Sequence, residues 1–330
     1  MLDTSTFDYA LPKEAIAQKP LHLRQESRLL VSGDPIRHKQ TRDLPDLLSA
    51  GDLLILNETR VMHSRMKFRK KTGGIIEMLV LEEHGDGKWE ALVRSSKRVP
   101  VNSELFNDDK EPVVRIGEVS DNGTRFVYPL GCSMQMLFEN YGEIPLPPYI
   151  DDSLEDVERY QTVFSNRESS VAAPTAGLHL TEETLNRCRE KGVKVAKLEL
   201  SVGIGTFRPI LVDSVFDHAM HAENYEISKQ TWDLCQKANR VVAVGTTVVR
   251  ALESAAATGK LSGRTELFIT PGFHFKVVDA LMTNFHLPRS SLLVMIEAFV
   301  GKEWKELYSL ALDEGYRFLS FGDAMFIERA

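Results

Sequence analysis

The sequence has 330 residues, of which 43% are hydrophobic and 26% are charged, a composition typical of globular proteins that excludes a disordered chain. The formal net charge of −7 argues against a protein that coats nucleic acid electrostatically. No apolar run reaches the roughly 18 residues of a membrane helix. Three widely separated cysteines and an acidic start without a signal-peptide core predict a soluble, cytoplasmic protein.

Residues 1–62 begin the chain with elements of an α/β domain. A short strand is predicted at 28–31 and a helical turn at 44–51. The apolar run 52–56 predicts a buried strand that leads directly into the polar residues 57–60, which include Arg60. Ligands often bind at the carboxyl ends of strands in α/β sheets, so these polar residues are candidate ligand contacts.

Residues 63–148 have a different pattern, with short alternating runs separated by turn residues. Strands are predicted at 75–81, 89–93, 113–116 and 125–128, and one helix at 133–141. Runs of period two at this spacing predict an antiparallel sheet or small barrel. We therefore predict an all-β domain, 63–148, inserted into a discontinuous α/β domain formed by 1–62 and 149–330.

Basic residues cluster twice within the predicted insertion, at 65–71 and at 94–98. Each cluster has enough charge to contact a few phosphates. The commoner explanation of such clustering is a solvated strand face. The side chains considered for nucleic-acid contact are Lys70, Lys71, Lys97 and Arg98.

After residue 149, helices alternate with strands, which predicts a sheet covered by helices. Helices are predicted at 181–191, 231–240 and 248–258, with a late helix capped by Ser290 or Ser291. Strands are predicted at 193–200, 241–244 and 267–269, and a strand pair at 318–327.

The stretch 171–180 is the most distinctive in the chain, because small residues, Pro174 and Gly177 precede a lone histidine, His179. A segment with so few large side chains brings backbone amides close to whatever lies above it. A helix is predicted to begin directly afterwards, at Thr181. A ligand-binding loop and a tight turn with a hydrogen-bonded core histidine are equally compatible with this pattern.

Two glycine-containing turns are candidate binding elements. Gly203-Ile-Gly205 follows a strand, but the next residues lack a third glycine and Pro209 blocks a helix, which disfavours a Rossmann dehydrogenase or methyltransferase. Gly245-Thr-Thr247 separates a buried strand from a helix, and amides at a helix N-terminus suit an anion or carboxylate. Arg250 and Glu253 share a face of that helix, and a surface ion pair is slightly favoured for them.

Histidines recur in two further loops. Within 217–224, His221 and Glu223 suit an acid–base pair, because no additional ligand at a familiar spacing supports a metal site. Residues 283–288 place Asn284 and His286 in a predicted loop before a helix. These motifs indicate an α/β enzyme with a polar pocket built from loops.

These loops closely resemble one family, the S-adenosylmethionine:tRNA ribosyltransferase-isomerases of queuosine biosynthesis. The resemblance extends over nearly the whole chain, from Phe7 to Asp323, and includes segments 57–61, 145–150, 158–162, 171–179, 203–209, 245–247, 275–279 and 283–288. The sequence departs from the family pattern at Ser201, at Val248, at 62–65 and at 95–98, so no family contact is carried over to this sequence at Ser201.

The resemblance implies that S-adenosylmethionine donates its ribosyl group to 7-aminomethyl-7-deazaguanine at the wobble position of a tRNA. The products are epoxyqueuosine-tRNA, adenine and methionine. S-adenosylmethionine is then a substrate and no separate cofactor or metal is expected; the partner is the tRNA, no membrane is involved, and the protein is expected to be a monomer.

The same resemblance suggests roles for residues in the matching loops. The candidate catalytic residues are His179, His221, Glu223 and His286. The candidate substrate-binding residues are Arg60, Thr175, Gly177, Gly203, Gly205, Thr206, Arg208, Gly245, Thr246, Thr247, Arg250, Glu253, Asn284 and Asp323. Two alternatives remain open: a non-catalytic RNA-binding module, and a conventional methyltransferase.

Overall fold

The computed structural model describes residues 2–94, 96, 99–120, 123–152, 154–203, 205 and 209–329. The chain divides into two compact units. The α/β unit contains residues 1–60, 147–168 and 172–330, and the barrel unit contains 61–146 and 169–171. This architecture confirms the predicted fold class. The limits 63–148 of the inserted domain stay a prediction, and they differ from the barrel unit mainly by the short segment 169–171.

The α/β unit is built on one nine-stranded mixed sheet. Its strands, numbered in chain order through the whole protein, are β1 (Arg28–Val31), β2 (Arg37–Gln40), β3 (Asp52–Asn57), β12 (Lys194–Leu200), β13 (Glu223–Glu226), β14 (Arg240–Val244), β15 (Ser262–Thr265), β16 (Ala280–Asn284) and β17 (Ala324–Glu328). Their order is β15-β13-β12-β3-β14-β16-β17-β1-β2.

The centre of this sheet consists of four parallel strands, β12, β3, β14 and β16. Every residue of β3 is buried. Alternate residues belong to separate hydrophobic clusters on the two faces, since Leu53 and Ile55 contribute to one and Leu54 and Leu56 to the other. A strand covered on both faces needs a continuous apolar run, as the sequence predicted for 52–56. The carboxyl ends of the four strands consequently lie at one edge.

Six α-helices accompany the strands in the described part of the chain: α1 (Met134–Tyr141), α2 (Glu182–Glu190), α3 (Lys229–Cys235), α4 (Thr246–Thr258), α5 (Ser291–Val300) and α6 (Trp304–Asp313). The hydroxyls of Thr181 and Ser290 accept hydrogen bonds from the amides of Thr184 and Leu293, as expected of N-caps. None of the described helices is long and apolar enough to cross a membrane.

The barrel unit contains a closed barrel of antiparallel strands in the order β10-β7-β6-β5-β8-β9. These strands are β5 (Arg65–Lys70), β6 (Ile75–Glu83), β7 (Trp89–Val93), β8 (Glu104–Phe106), β9 (Pro112–Val119) and β10 (Arg125–Pro129), while β4 (Thr59–Val61) and β11 (Arg167–Ser170) form a separate pair. In β5, buried Met66 and Phe68 alternate with more exposed basic residues. The first basic cluster therefore lies along a solvated strand face.

Three predicted elements of the α/β unit are wrong. Residues 267–269 are not a strand. They form irregular chain from which Ile269 packs into the core, and strand β15 ends just before them. Residues 318–327 contain one strand, β17, and not a strand pair. Residues 283 and 284 end strand β16 and are not loop. In each case the residues are buried or partly buried by tertiary packing, and the local pattern did not distinguish a buried turn from a buried strand.

Candidate active site

A cleft lies in the α/β unit at the carboxyl edge of the parallel strands. The turn after β14 and the end of β16 both contribute to its wall, as expected for ligand sites of α/β sheets. Its lining residues are Tyr149, Ala173, Pro174, Thr175, Ala176, Val202, Gly245, Thr246, Thr247, Thr283, Asn284, Phe285, His286, Leu287, Ser290, Leu292, Leu319 and Ser320.

The turn between β14 and α4 gives the cleft a helix N-terminus. Gly245 has a φ of 91°, in the region where a side chain is strained, and its amide donates to the Met282 carbonyl over 2.8 Å. Helix α4 begins at once with Thr246 and Thr247, both of which line the cleft. The amides at the start of a helix carry partial positive charge, so this part of the cleft favours an anionic group.

Asn57, at the end of β3, fixes the position of this turn. Its Nδ2 donates to the Leu200 carbonyl over 2.9 Å and to Thr247 Oγ1 over 3.4 Å, and its Oδ1 accepts from the Leu200 amide over 3.1 Å. One buried side chain thereby connects β12, β3 and α4. The polar residue predicted at this strand end is a positioning residue, and Asn57 itself does not line the cleft.

A chain of three side chains connects the cleft with the 171–180 stretch. Residues Thr175–His179 form a short 3-10 helix. Thr175 Oγ1 donates to Asn284 Oδ1 over 2.9 Å, and Asn284 Nδ2 lies 2.9 Å from His179 Nε2. Because the amide nitrogen can only donate, His179 Nε2 is the acceptor and its ring proton resides on Nδ1.

Burial keeps the two histidines of this region neutral. Desolvation lowers the pKa of His179 to about 4, and the nearby charges of Arg317 and Arg24 act in the same direction while Asp323 opposes them. Desolvation lowers the pKa of His286 to about 3, and His286 Nε2 lies 3.1 Å from Thr283 Oγ1. Both imidazoles are therefore hydrogen-bonding groups without charge at neutral pH.

Gly177 and His179 lie just behind the cleft wall. A Cβ at Gly177 would lie 2.7 Å from the Phe164 ring, so only glycine fits there. His179 reaches the cleft through Asn284 and lines a second hollow on its other side. The stretch is therefore a tight turn with a hydrogen-bonded core histidine, and its role as a binding loop stays a prediction.

The other candidate residues in the described chain do not line the cleft. His221 is exposed and its ring lies against Gly205, whereas Glu223 is buried beside Gly203. Arg60 lies elsewhere in the α/β unit and pairs with Glu158 over 2.5 Å. Four candidate positions, Thr206, Arg208, Lys97 and Arg98, are outside the described residues.

Three buried carboxylates from the candidate set are occupied by structural partners. Glu223 pairs with Arg250 and accepts from the Gly203 amide over 2.8 Å. Glu253 accepts from the amides of residues 276–278 over 2.9 to 3.0 Å. Arg250 and Glu253 do share a helix, but both are buried and Arg250 pairs with Glu223. The prediction of a surface ion pair between Arg250 and Glu253 is therefore wrong.

Asp323 holds the turn that precedes β17. Its carboxylate accepts from the amides of Arg28 and Arg317 over 2.9 and 2.8 Å and pairs with the Arg317 guanidinium over 3.2 Å. This turn includes Leu319, whose φ is 68°, and Ser320, both of which line the cleft. Asp323 consequently shapes the cleft wall without reaching the cleft itself.

One group of three side chains in the described residues has ligand atoms close enough to share a metal ion: Glu82, His84 and Glu90, in the barrel unit. His84 Nε2 lies 3.3 Å from Glu82 and 2.9 Å from Glu90, so ion pairs account for the grouping.

Comparison with known proteins identifies the family. A family model described as "Queuosine biosynthesis protein" matches residues 4–327. The chain belongs to this family. It is similar to proteins named S-adenosylmethionine:tRNA ribosyltransferase-isomerase from Thermotoga petrophila, with 46% identity over 99% of this chain and 100% of the relative, and from Moorella thermoacetica, with 47% identity over 97% and 98%.

A solved structure supports the same assignment. The chain is similar to the crystal structure of S-adenosylmethionine tRNA ribosyltransferase from Thermotoga maritima, with 35% sequence identity and a TM-score of 0.55. The match covers 97% of this chain and 99% of that chain. Within this queuosine biosynthesis family member, the segments that carried the resemblance, 171–179, 245–247 and 283–288, meet at the cleft. Distant segments thus share one site.

Sequence reasoning did not select four polar residues that line the cleft of this family member: Tyr149, Thr283, Ser290 and Ser320. Tyr149 and Ser320 line the cleft, and their hydroxyl oxygens are 2.7 Å apart. Tyr149 belongs to the segment 145–150, which is one of those that carry the family resemblance, and that motif was the available signal. Nothing local in the sequence singles out Ser320, because only the Asp323-held turn brings it to the cleft.

Proposed function

We propose that the protein transfers and isomerises the ribosyl group of S-adenosylmethionine onto 7-aminomethyl-7-deazaguanine at the tRNA wobble position. Adenine and methionine leave, and the product is epoxyqueuosine-tRNA. The observation that carries this proposal is that the family segments at 171–179, 245–247 and 283–288 converge on one cleft. The full-length similarity to named ribosyltransferase-isomerases supports it.

The start of α4 is proposed to bind the methionine carboxylate. Gly245, Thr246 and Thr247 line the cleft at a helix N-terminus, where amides and hydroxyls favour an anion. The sulfonium is proposed to lie against the rings of Tyr149 or Phe285, which also line the cleft. The carboxylates of Glu223, Glu253 and Asp323 are not proposed for this role, because each has structural partners.

Proton transfer is proposed to use the histidines as neutral groups. With pKa values lowered to about 4 and about 3, His179 and His286 accept protons or hydrogen bonds at neutral pH and do not act as imidazolium acids. His286 lines the cleft directly, whereas His179 orients the Asn284 amide, which lines it. His221 and Glu223 stay candidates only if the loop that carries His221 approaches the bound substrate.

The barrel unit is proposed to contact the tRNA. Within the described residues Lys67 and Arg69 are paired with Glu143 and Asp108, whereas Lys70 and Lys71 form no ion pair. Lys70, Lys71, Lys97 and Arg98 are the proposed phosphate contacts. We further propose that S-adenosylmethionine acts as substrate without another cofactor and that the protein works as a monomer in the cytoplasm.

A single assay tests the reaction against both alternatives. The protein is incubated with S-adenosylmethionine and a tRNA that carries the 7-aminomethyl-7-deazaguanine base, and the small molecules are separated. The proposal expects adenine and methionine in equal amounts. S-adenosylhomocysteine would instead identify a methyltransferase, and unchanged S-adenosylmethionine with bound tRNA would identify a binding module.

A further inference from the structure

Three arginines surround the hollow behind His179. Arg24, Arg159 and Arg317 all line it, together with Pro20, Leu21, Ser27, Leu178, His179, Ser320, Phe321 and Gly322. Each arginine is only half-buried, so the hollow is open to a ligand from solvent. No carboxylate side chain lines it among the described residues.

Main-chain carbonyls hold two of these guanidinium groups in place. Arg24 donates to the carbonyls of Gln161, Leu178 and Glu158 over 2.7, 3.3 and 2.9 Å. Arg159 donates to the carbonyls of His22 and Leu21 over 3.0 and 2.5 Å. Carbonyl oxygens are neutral, so these bonds fix the positions of the guanidinium groups without cancelling their charge.

An unused donor remains at the hollow, beside a mixture of charges. Desolvation is the main cause of the lowered pKa of His179; the charge of Asp323 raises that pKa, and the charges of Arg317 and Arg24 lower it. The Nε of Arg159 is buried and has no hydrogen-bond partner within the described residues. Arg317 pairs with Asp323 through Nη2, and Asp156 and Glu158 act on Arg24 from outside the hollow.

The hollow is next to the cleft. Ser320 lines both. His179 lines the hollow and is bonded to Asn284, which lines the cleft. Only the side chains of Ser320, His179 and Asn284 therefore separate a substrate bound in the cleft from the arginines of the hollow.

We propose that the hollow lined by Arg24, Arg159 and Arg317 is an oxyanion subsite that binds one negatively charged group of a substrate. Guanidinium groups bind planar or tetrahedral oxyanions through paired N–H donors, and this chemistry suits a carboxylate or a phosphodiester. The assignment of that group to a substrate depends on the proposed function. Because the start of α4 is proposed to bind the methionine carboxylate, the group is then a backbone phosphate of the tRNA; binding of the methionine carboxylate in this hollow is the alternative outcome of the test.

The test compares Arg317→Gln with Arg329→Gln. Arg329 is a matched control, because it also pairs with an aspartate over 3.2 Å but lies away from the hollow. Binding of inorganic phosphate, S-adenosylmethionine, 5′-methylthioadenosine and tRNA is measured by calorimetry without turnover. We expect Arg317→Gln to weaken phosphate binding at least about tenfold, the loss of one charge-assisted contact, while the control stays within about twofold.

The same measurements distinguish the two sources. Weaker binding of S-adenosylmethionine with unchanged 5′-methylthioadenosine identifies the carboxylate, whereas weaker tRNA binding with a salt slope reduced by about one identifies a phosphate. Arg317→Lys retains the charge beside Asp323 and should restore part of the affinity. That recovery would show that Arg317→Gln loses affinity through its missing charge and not through misfolding.

Unchanged binding of phosphate, S-adenosylmethionine and tRNA by folded Arg317→Gln would overturn the subsite. Absence of adenine release by the wild-type protein, with phosphate binding still dependent on Arg317, would contradict the proposed reaction and leave the subsite intact.

Discussion

The amide of Asn284 donates to Nε2 of His179 over 2.9 Å and thereby joins the end of β16 to the 3-10 helix that begins at Thr175. These two residues are 105 positions apart in the chain. The bond is buried, and it fixes both the tautomer of the histidine and the orientation of the amide that lines the cleft. The predictions below follow from this arrangement and from the buried groups around it.

Replacing Asn284 by alanine should impair the reaction more than the fold. The change removes the acceptor of Thr175 and the donor to His179, which costs about 1–3 kcal/mol in the free energy of unfolding for unpaired buried groups. We expect kcat/KM to fall by about 10- to 100-fold, or about 1.4–2.7 kcal/mol, in adenine-release assays. Exposed Asn186→Ala in α2 is the control, and a rate equal to wild type in Asn284→Ala would exclude the amide from the site.

Stability should decrease as the pH falls below 6.5, because His179 and His286 have lowered pKa values in the folded state. The unfolded chain then binds protons that the native protein does not, so each histidine reduces the free energy of unfolding by about 1.4 kcal/mol per pH unit. For His179 this loss ends near pH 4. Urea titrations between pH 7 and 5 measure it. The slope should decrease in His286→Gln, and an equal slope in wild type and variant would contradict the buried neutral imidazole.

Glu253→Gln should reduce stability and leave the reaction of the folded enzyme nearly unchanged. The carboxylate accepts three buried amide hydrogen bonds, and a neutral amide with one acceptor oxygen cannot replace them. We expect a loss of about 2–4 kcal/mol in urea unfolding, compared with less than about 0.5 kcal/mol for exposed Glu306→Gln. Normal stability combined with a large fall in kcat would contradict this structural role and indicate that Glu253 contacts the substrate.

Gly245→Ala should weaken binding of S-adenosylmethionine. At a φ of 91°, a side chain costs about 1–2 kcal/mol, and relief of that strain displaces the first amides of α4. The added Cβ would lie 3.6 Å from both Ala176 Cβ and Thr247 Oγ1, which are ordinary contacts, so the effect comes from the backbone. Gly259→Ala, at the other end of α4 with a φ of 70°, should cost similar stability without changing the dissociation constant measured by calorimetry.

Charge reversal in the barrel unit should change the salt dependence of tRNA binding. Lys70→Glu and Lys71→Glu together should reduce the slope of log K against log salt by about one to two, because each lysine is proposed to contact a phosphate. Arg69→Gln should change it less, since that charge is already paired with Asp108. Equal salt slopes in the wild type, the double lysine variant and Arg69→Gln would show that Lys70 and Lys71 do not contact tRNA phosphates.

Local sequence patterns predicted the elements whose environment is uniform. The apolar run of β3 requires cover on both faces, the alternating runs predict the barrel strands, and Thr181 and Ser290 cap the helices that follow them. The last two residues of β16, Thr283 and Asn284, were predicted as loop because these polar side chains carry no local signal of a strand. Here the partner strands decide the conformation.

The sequence by itself determined the family resemblance, the fold class and the short segments that carry the site. It did not determine which polar residues meet. Glu253 and Asp323 bind backbone amides, Arg250 pairs with Glu223, and Tyr149 and Ser320 join the cleft. These contacts join residues far apart in the chain, and hydrogen bonding and desolvation depend on distances of a few ångströms that only the tertiary structure sets.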